Sequence, residues 1–247
     1  INLLKMSHSI SNIPCMILAA GRGERMRPLT DVVPKPLLTI HGKSLIEHHL
    51  DNLKNAGFNK IVINHAWLGH LIEETFGDGI SRGLQIKYSP EKEALETAGG
   101  IRQALPLLNP EDYFLVINGD VYSPDFPFEK ITELVKNLKV KPGAQAYLFL
   151  VSNPPHHPEG DFYLNMDGSI HYLNDHKDNS ANSKYTFSGA GLYHKDLFAQ
   201  LTPGIKAPLA PLLKEWMDQN RVFGERLNCE WHDVGTPERL NELNQVK

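Results

Sequence analysis

The chain has 247 residues, 41% hydrophobic and 22% charged, the balance of an ordinary globular protein long enough to bury a core without disulfides or structural metal. Its 25 Lys and Arg stand against 29 Asp and Glu, a formal net charge of −4. These values exclude a disordered tail, a coiled coil and a collagen. They make a general nucleic-acid binder a poor match, so any phosphate ligand must meet cations gathered in one place.

Residues 1–13 read as a leader or vector remnant: Ile1 is not an initiator, Met6 is one candidate, and no long apolar h-region follows. Cys15-Met-Ile-Leu-Ala-Ala20 then reads as a buried strand. Ser44 suits the cap of a helix whose Leu45, Ile46, His49, Leu50 and Leu53 share one face, and Gly57 suits its C′ position. Lys60–Asn64 is the next strand, Leu68–Phe76 a short helix, Leu84–Tyr88 a third strand, and Thr97–Leu107 a helix ending near Pro106. Tyr113–Ile117, apolar on both faces, suits a central parallel strand.

The pattern changes after about residue 120. Ala144–Val151, Phe162–Met166, Ser169–Leu173 and Tyr185–Tyr193 read as strands with few helices between them, and Asp167-Gly168 is a hairpin turn signal. Helices return near Pro208–Gln219 and Thr236–Gln245, the latter with Thr236 as cap and Pro237 at the first helical position. The alternation predicts an α/β fold, a single-domain Rossmann-like, doubly wound mixed sheet over residues 14–247. Cys15 and Cys229 are too few for a disulfide framework and lack zinc spacing, which suits a reducing cytoplasm. No apolar run reaches the roughly 18 residues needed to span a bilayer, and no obligate protein partner is evident.

The local concentration of charge follows the first strand. In Gly21-Arg-Gly-Glu-Arg-Met-Arg27 and the segment to Lys35, four cations stand against Glu24 and Asp31. Glycines after a strand let backbone N–H groups approach phosphate oxygens. The loop lacks the Gly-Lys-Ser/Thr of a Walker A motif, and Met26 occupies the third glycine position of a dinucleotide fingerprint. Lys35 lies between Pro34 and Pro36, which stiffen the backbone around it and argue for a pre-oriented cation.

Leu18-Ala-Ala-Gly-Arg-Gly-Glu-Arg-Met-Arg-Pro-Leu-Thr30, followed by Pro34-Lys-Pro-Leu37, resembles the signature of the sugar-1-phosphate nucleotidylyltransferases. Where that signature usually has Thr or Ser before the catalytic arginine, this chain has Glu24, and the departure resembles the bacterial N-acetylmuramate α-1-phosphate uridylyltransferases. The likeness continues in Asn64-His-Ala-Trp-Leu-Gly69, Tyr88-Ser-Pro-Glu91, Leu95-Glu-Thr-Ala-Gly-Gly100, Asn153-Pro-Pro-His-His157, Gly160-Asp-Phe162, Phe187-Ser-Gly189 and Trp231-His-Asp-Val-Gly-Thr236.

The resemblance implies a nucleotidyltransferase/GT-A-like domain in which residues 14–120 mainly serve the nucleotide and 121–247 mainly the sugar phosphate. Lys35 and Arg25 become the catalytic cations, with Gly23 and Glu24 beside the β and γ phosphates. Ala20 and Gly21 would meet the base through their backbone, and Glu96, Gly99 and Gly100 would form the loop beside base and ribose. Asn118 would touch ribose or sugar, and Asn153, Asp161, Ser188 and Gly189 would bind the sugar phosphate.

Two acids complete the set. Asp120 ends an apolar strand abruptly, where open α/β sheets bind ligands. Asp233, read alone, suits a cap or turn before the last helix. The two are 113 residues apart, so their pairing as holders of Mg²⁺ rests on the resemblance. His48-His49 and His156-His157 lack the spacing of a helical zinc site; His49 reads as a partly buried face residue, and His232 could orient Asp233. Trp67, Trp216 and Trp231 read as core or rim packing.

The implied reaction transfers UMP from UTP to MurNAc 1-phosphate, giving UDP-MurNAc and pyrophosphate, in peptidoglycan recycling. Within the class, GTP with mannose 1-phosphate or dTTP with glucose 1-phosphate stay open. A non-catalytic nucleotide-sugar sensor need not keep Arg25, Lys35, Asp120 and Asp233 together. A glycosyltransferase on a similar sheet wants an Asp-x-Asp motif, and Asn118-Gly-Asp120 supplies one acid.

Overall fold

In the computed structural model, residues 12–141, 143–173 and 183–245 are described; most of the expected leader, residues 1–11, lies outside them. The apolar run Cys15–Ala19 forms strand β1, and its Cys15 packs with no solvent exposure, as expected. A small hairpin, β2 (Thr39–Ile40) and β3 (Lys43–Ser44), leads into helix α1 (Leu45–Asn55). Ser44 Oγ accepts the Glu47 N–H at 3.2 Å, the expected cap, and Gly57 takes the left-handed conformation (φ 93°) after the last turn. Then come β4 (Lys60–His65), α2 (Gly69–Phe76), β5 (Gln85–Pro90), α3 (Glu96–Leu108) and β6 (Tyr113–Asn118).

The second half holds β7 (Val121–Tyr122), α4 (Ile131–Val140), β8 (Ala146–Val151), β9 (Phe162–Leu164), β10 (Ile170–His171) and β11 (Lys184–His194). It closes with α5 (Leu209–Asp218), β12 (Val222–Arg226), β13 (His232–Asp233) and α6 (Pro237–Gln245).

The sheet core runs β5-β4-β1-β6, all parallel, as the apolar strands require. The chain winds outward from β1 to β5, then crosses back through α3 to place β6 on the other side of β1. β11 joins β6 antiparallel, β8 pairs with β11, and β12 pairs parallel with β8. Strand alternation sends Ile17, Ile63 and Ile117 to one face with α1, α2 and α4, while Met16, Val62 and Val116 meet α3 and α5 on the other. The sheet is doubly wound and mixed, as predicted.

Several local readings need correction. The helix read as ending near Pro106 runs to Leu108, with Pro106 inside its last turn. Helix α4 and strand β12 lie where few helices and no strand were expected. The strands read at 162–166 and 169–173 are shorter around the Asp167-Gly168 turn, present as read, and the strand read at 144–151 begins at Ala146. His49 is only 3% exposed, fully rather than partly buried.

Candidate active site

The C-terminal ends of β1, β4 and β6 open on one crevice at the point where the winding reverses, the usual ligand position of such sheets. It encloses about 230 Å³, and its walls include Ala20, Gly21, Lys35, Asn64, Glu96, Thr97, Asn118 and Asp120. Register explains two of these: Asn64 on β4 and Asn118 on β6 both pair with Leu18, so they flank it at the same level. Gly21 faces open space; a Cβ there would meet no atom within 4 Å.

The cationic loop divides its charges. Arg22 donates to the Thr30 carbonyl (2.9 Å) and to Asp31 (3.1 Å), with its guanidinium 4.0 Å from the centre of the Trp67 ring. Trp67 Nε1 donates to the same Thr30 carbonyl at 2.9 Å. Arg27 donates to Asp31 at 2.8 Å, a pair that raises the Arg27 pKa and lowers that of Asp31. Gly23 is left-handed (φ 69°), and a Cβ there would stand 2.9 Å from the Thr30 methyl. Met26 is completely buried with Ile40, Leu45, Tyr122 and Val234. Arg22 and Arg27 therefore fasten the loop. Arg25 is exposed and takes no ion pair among the described residues.

Lys35 emerges from a 3₁₀ turn between its prolines, 8% exposed, and donates to Asp120 Oδ2 at 2.6 Å. The expected pre-orientation is present. The Asp120 carbonyl accepts the Val234 N–H at 3.0 Å, and β7 pairs with β13, with Val121 opposite Asp233. A two-stranded ribbon thus brings residues 113 positions apart next to each other. Asp233 lines a separate cavity of about 450 Å³, with Arg239, His156 and Trp231. Arg239 donates to Asp233 Oδ2 at 2.5 Å, and His156 Nε2 lies 2.7 Å from Oδ1. The angle of that last approach closes no hydrogen bond, so Oδ1 is buried without one. His232 lies against Glu230 instead (3.2 Å), so Arg239, with His156 packed beside the carboxylate, orients Asp233, and His232 does not. The described residues hold no cluster of three or more His, Cys, Asp or Glu suited to a metal.

At the start of α3, Glu96 adopts φ 59°, a left-handed conformation costly for a side chain with Cβ, and it borders both this crevice and the next. Gly99 and Gly100 are buried, and packing accounts for both. A Cβ at Gly99 would stand 2.6 Å from the Ile205 carbonyl, and one at Gly100 would stand 2.7 Å from Glu91 Oε1.

A second hollow of about 370 Å³ adjoins the first, sharing Leu18, Glu96, Thr97 and Asn118, with Asp161, Gly189, Phe162, Phe187, Leu209 and Leu213 around it. Gly189 (φ 80°) sits in the irregular stretch of β11, where a Cβ would stand 2.7 Å from the Asn118 amide. Asp161 accepts the Phe187 N–H at 2.8 Å and lies 3.0 Å from His157. Ser188 is buried; its carbonyl accepts Trp231 Nε1 at 2.8 Å. Asn153 spends its side chain on the Pro158 and Lys184 carbonyls and on the Thr186 hydroxyl, holding the loop above the hollow rather than facing into it.

The sequence assigns no role to Asn64, Glu91 or Arg239, reads Trp67 as core or rim packing, and sets His156 aside as a zinc ligand. Asn64 carried a visible signal, a polar residue inside an apolar strand run; Arg239 carried none, because only the turn of α6 aims it at Asp233.

Comparisons with known proteins follow the same outline. Over 232 residues, 94% of this chain and 96% of the relative, the sequence is 51% identical to the N-acetylmuramate alpha-1-phosphate uridylyltransferase of Neisseria meningitidis serogroup B. It is 32% identical to the protein of that name from Caulobacter vibrioides, covering 90% and 92% of the two chains. A crystal structure described as a glucose-1-phosphate thymidylyltransferase from Bacillus anthracis superposes with a TM-score of 0.78 over 95% of this chain and 94% of that one, at 22% identity, a likeness of fold. Residues 15–246 match the nucleotidyl transferase family. With the crevice at the reversal of the sheet, the glycine-rich cationic loop and this match across nearly the whole chain, the protein belongs to the nucleotidyl transferase family, and it is an enzyme of sugar-phosphate nucleotidyl transfer.

Proposed function

We propose that the chain transfers UMP from UTP to N-acetylmuramic acid α-1-phosphate, giving UDP-MurNAc and pyrophosphate, in the cytoplasm and in the service of peptidoglycan recycling. The observation that carries the choice of substrates is the 51% identity, across almost the full length of both chains, to a relative named for that reaction. Residues 14–120 mainly serve the nucleotide and 121–247 mainly the sugar phosphate. The aromatic and leucine wall of the second hollow suits the methyl groups of an acetamido and a lactyl substituent.

An anionic oxygen of the sugar phosphate attacks the α-phosphorus in line. The bond from that phosphorus to the bridging oxygen breaks, and pyrophosphate leaves with the electron pair. The attacking oxygen carries no proton, so no general base is required; the barrier is the meeting of two polyanions and the charge left on the leaving group. Lys35, held at the crevice floor, contacts the reacting phosphates. Arg25 and the backbone at Gly23 and Glu24 hold the β and γ phosphates. Ala20 and Gly21 meet the base, Glu96 borders base and ribose, and Gly99 and Gly100 act through the seating of α3. Asn118, Asp161, Ser188 and Gly189 bind the sugar side, with Asn153 supporting its loop.

Asp120 and Asp233 suit Mg²⁺. Asp120 Oδ1 takes no hydrogen bond among the described residues, Asp233 Oδ1 is buried with only the unbonded His156 Nε2 beside it, and Mg²⁺ binds through one or two carboxylates with water and phosphate oxygens. When bound, the ion neutralises charge on the phosphates between which the bond is exchanged.

Pyrophosphate release over a grid of nucleoside triphosphates and sugar 1-phosphates, with Mg²⁺ or with chelator, tests this reading. Turnover with UTP and MurNAc 1-phosphate, lost with chelator, is expected. Turnover confined to GTP and mannose 1-phosphate, or to dTTP and glucose 1-phosphate, overturns the substrates.

A further inference from the structure

One crevice wall residue, Asn64, belongs to a buried polar pair that the chemistry above does not use. Asn64 (2% exposed) accepts the Ala19 N–H through Oδ1 at 2.9 Å and donates through Nδ2 to Glu91 Oε1 at 2.7 Å. Glu91 (6% exposed) accepts the Leu95 N–H through Oε2 at 2.8 Å. Ala19 precedes the Ala20-Gly21 wall, and Leu95 precedes Glu96 and Thr97 on the opposite wall. One continuous set of hydrogen bonds therefore spans from the last residue of β1 to Leu95, the residue that precedes α3. The same set leaves no room at Gly100, whose Cβ would stand 2.7 Å from Glu91 Oε1 and 2.9 Å from Asn64 Nδ2. A carboxylate is the group that can accept from two donors at once, which is what Asn64 Nδ2 and the Leu95 N–H require.

We propose that Asn64 and Glu91 are positioning residues that set the gap between the end of β1 and the start of α3, and through it the affinity for the nucleotide. The proposal rests on the nucleotidyl-transfer reading of the crevice. A carboxamide at 91 turns a donor toward the Leu95 N–H, and a carboxylate at 64 faces the Glu91 carboxylate, so each single change breaks the set. Together they rebuild it with the polarity reversed. The new carboxylate at 64 accepts from Ala19 N–H and from the new carboxamide at 91, whose oxygen accepts from Leu95 N–H.

The test titrates UTP calorimetrically into the wild type, Glu91→Gln, Asn64→Asp and the double variant, without sugar phosphate, and measures KM for the sugar 1-phosphate separately. Each single variant is expected to bind UTP about tenfold more weakly, the scale of one buried unsatisfied group. The double variant recovers to within about threefold, and the KM for sugar 1-phosphate stays put. Folded single variants with wild-type UTP affinity overturn the proposal, as does equal loss on the sugar side. If the single variants fail to fold, the double variant decides: it must fold and bind UTP, and its failure overturns the proposal. A wild type that binds UTP but turns over no sugar 1-phosphate sinks the proposed reaction alone. If another triphosphate binds in place of UTP, the same titrations with that nucleotide decide between the same outcomes.

Discussion

Lys35 and Asp120 meet at 2.6 Å, yet the ammonium is nearly buried while the carboxylate side chain keeps 42% of its surface in solvent. Removing the lysine leaves an acid that water can still solvate, so the stability cost stays near 1 kcal/mol. Losing a positioned cation at the reacting phosphates costs far more in rate. Lys35→Ala is therefore expected to lower turnover by about 10²-fold or more with a melting temperature shifted only slightly, read by pyrophosphate release and thermal melts; matched losses in both would make the lysine structural. Asp120→Asn keeps the shape and removes the charge, and is expected to abolish product while the protein melts as wild type; full activity with Mg²⁺ present would refute the metal role. The prolines around Lys35 announced it in the sequence. The reason for Gly99 and Gly100 was hidden there, because a glycine demanded by a neighbour across the fold looks the same as one demanded by a phosphate.

Among elements, the start of α3 is where strain and binding meet. Glu96 holds φ 59° while bordering both hollows. Glu96→Gly removes the left-handed penalty and is expected to raise stability by about 1 kcal/mol while weakening UTP binding. Denaturant melts and nucleotide titration read the two effects, and a variant no more stable than wild type would show that the backbone is relaxed. The Ser44 cap was legible from its place before an apolar face, and Ser44→Ala should cost about 1 kcal/mol in the same melts. Strand β12 was not legible, because its five residues are a strand only through pairing with β8.

Among the described residues three cores organise the fold: one on each face of the sheet, and a third that joins Met26 beneath the cationic loop to Ile40, Tyr122, Val234 and the α6 residues Leu240 and Leu243. The third ties the loop to the ribbon that carries the acids. His49 of α1 lies buried on the sheet-facing side, with Nε2 unpaired, and burial pushes its pKa from 6.5 down to about 4. In the unfolded chain the ring takes its proton near 6.5, so between the two values unfolding gains a proton. Stability therefore falls as the pH drops through that window, by about 3 kcal/mol in all. Urea melts across the window should show this loss, and His49→Leu should flatten it; an unchanged slope would place the effect elsewhere.

Apart from the small β2–β3 hairpin, the order of strands and helices through β6, the α1 cap, the cationic loop and the orientation of Lys35 follow from the sequence, because each depends on residues within a few positions of one another: periodicity, turn chemistry, a pair of prolines. Tertiary structure decided which loop arginines are bound and which takes no ion pair among the described residues, the meeting of Asp120 with the Asp233 ribbon, the grip of Arg239 on Asp233, and the buried link between Asn64 and Glu91. Those depend on register between strands far apart in the chain and on the space left where they cross, and neither is written in any single stretch of residues.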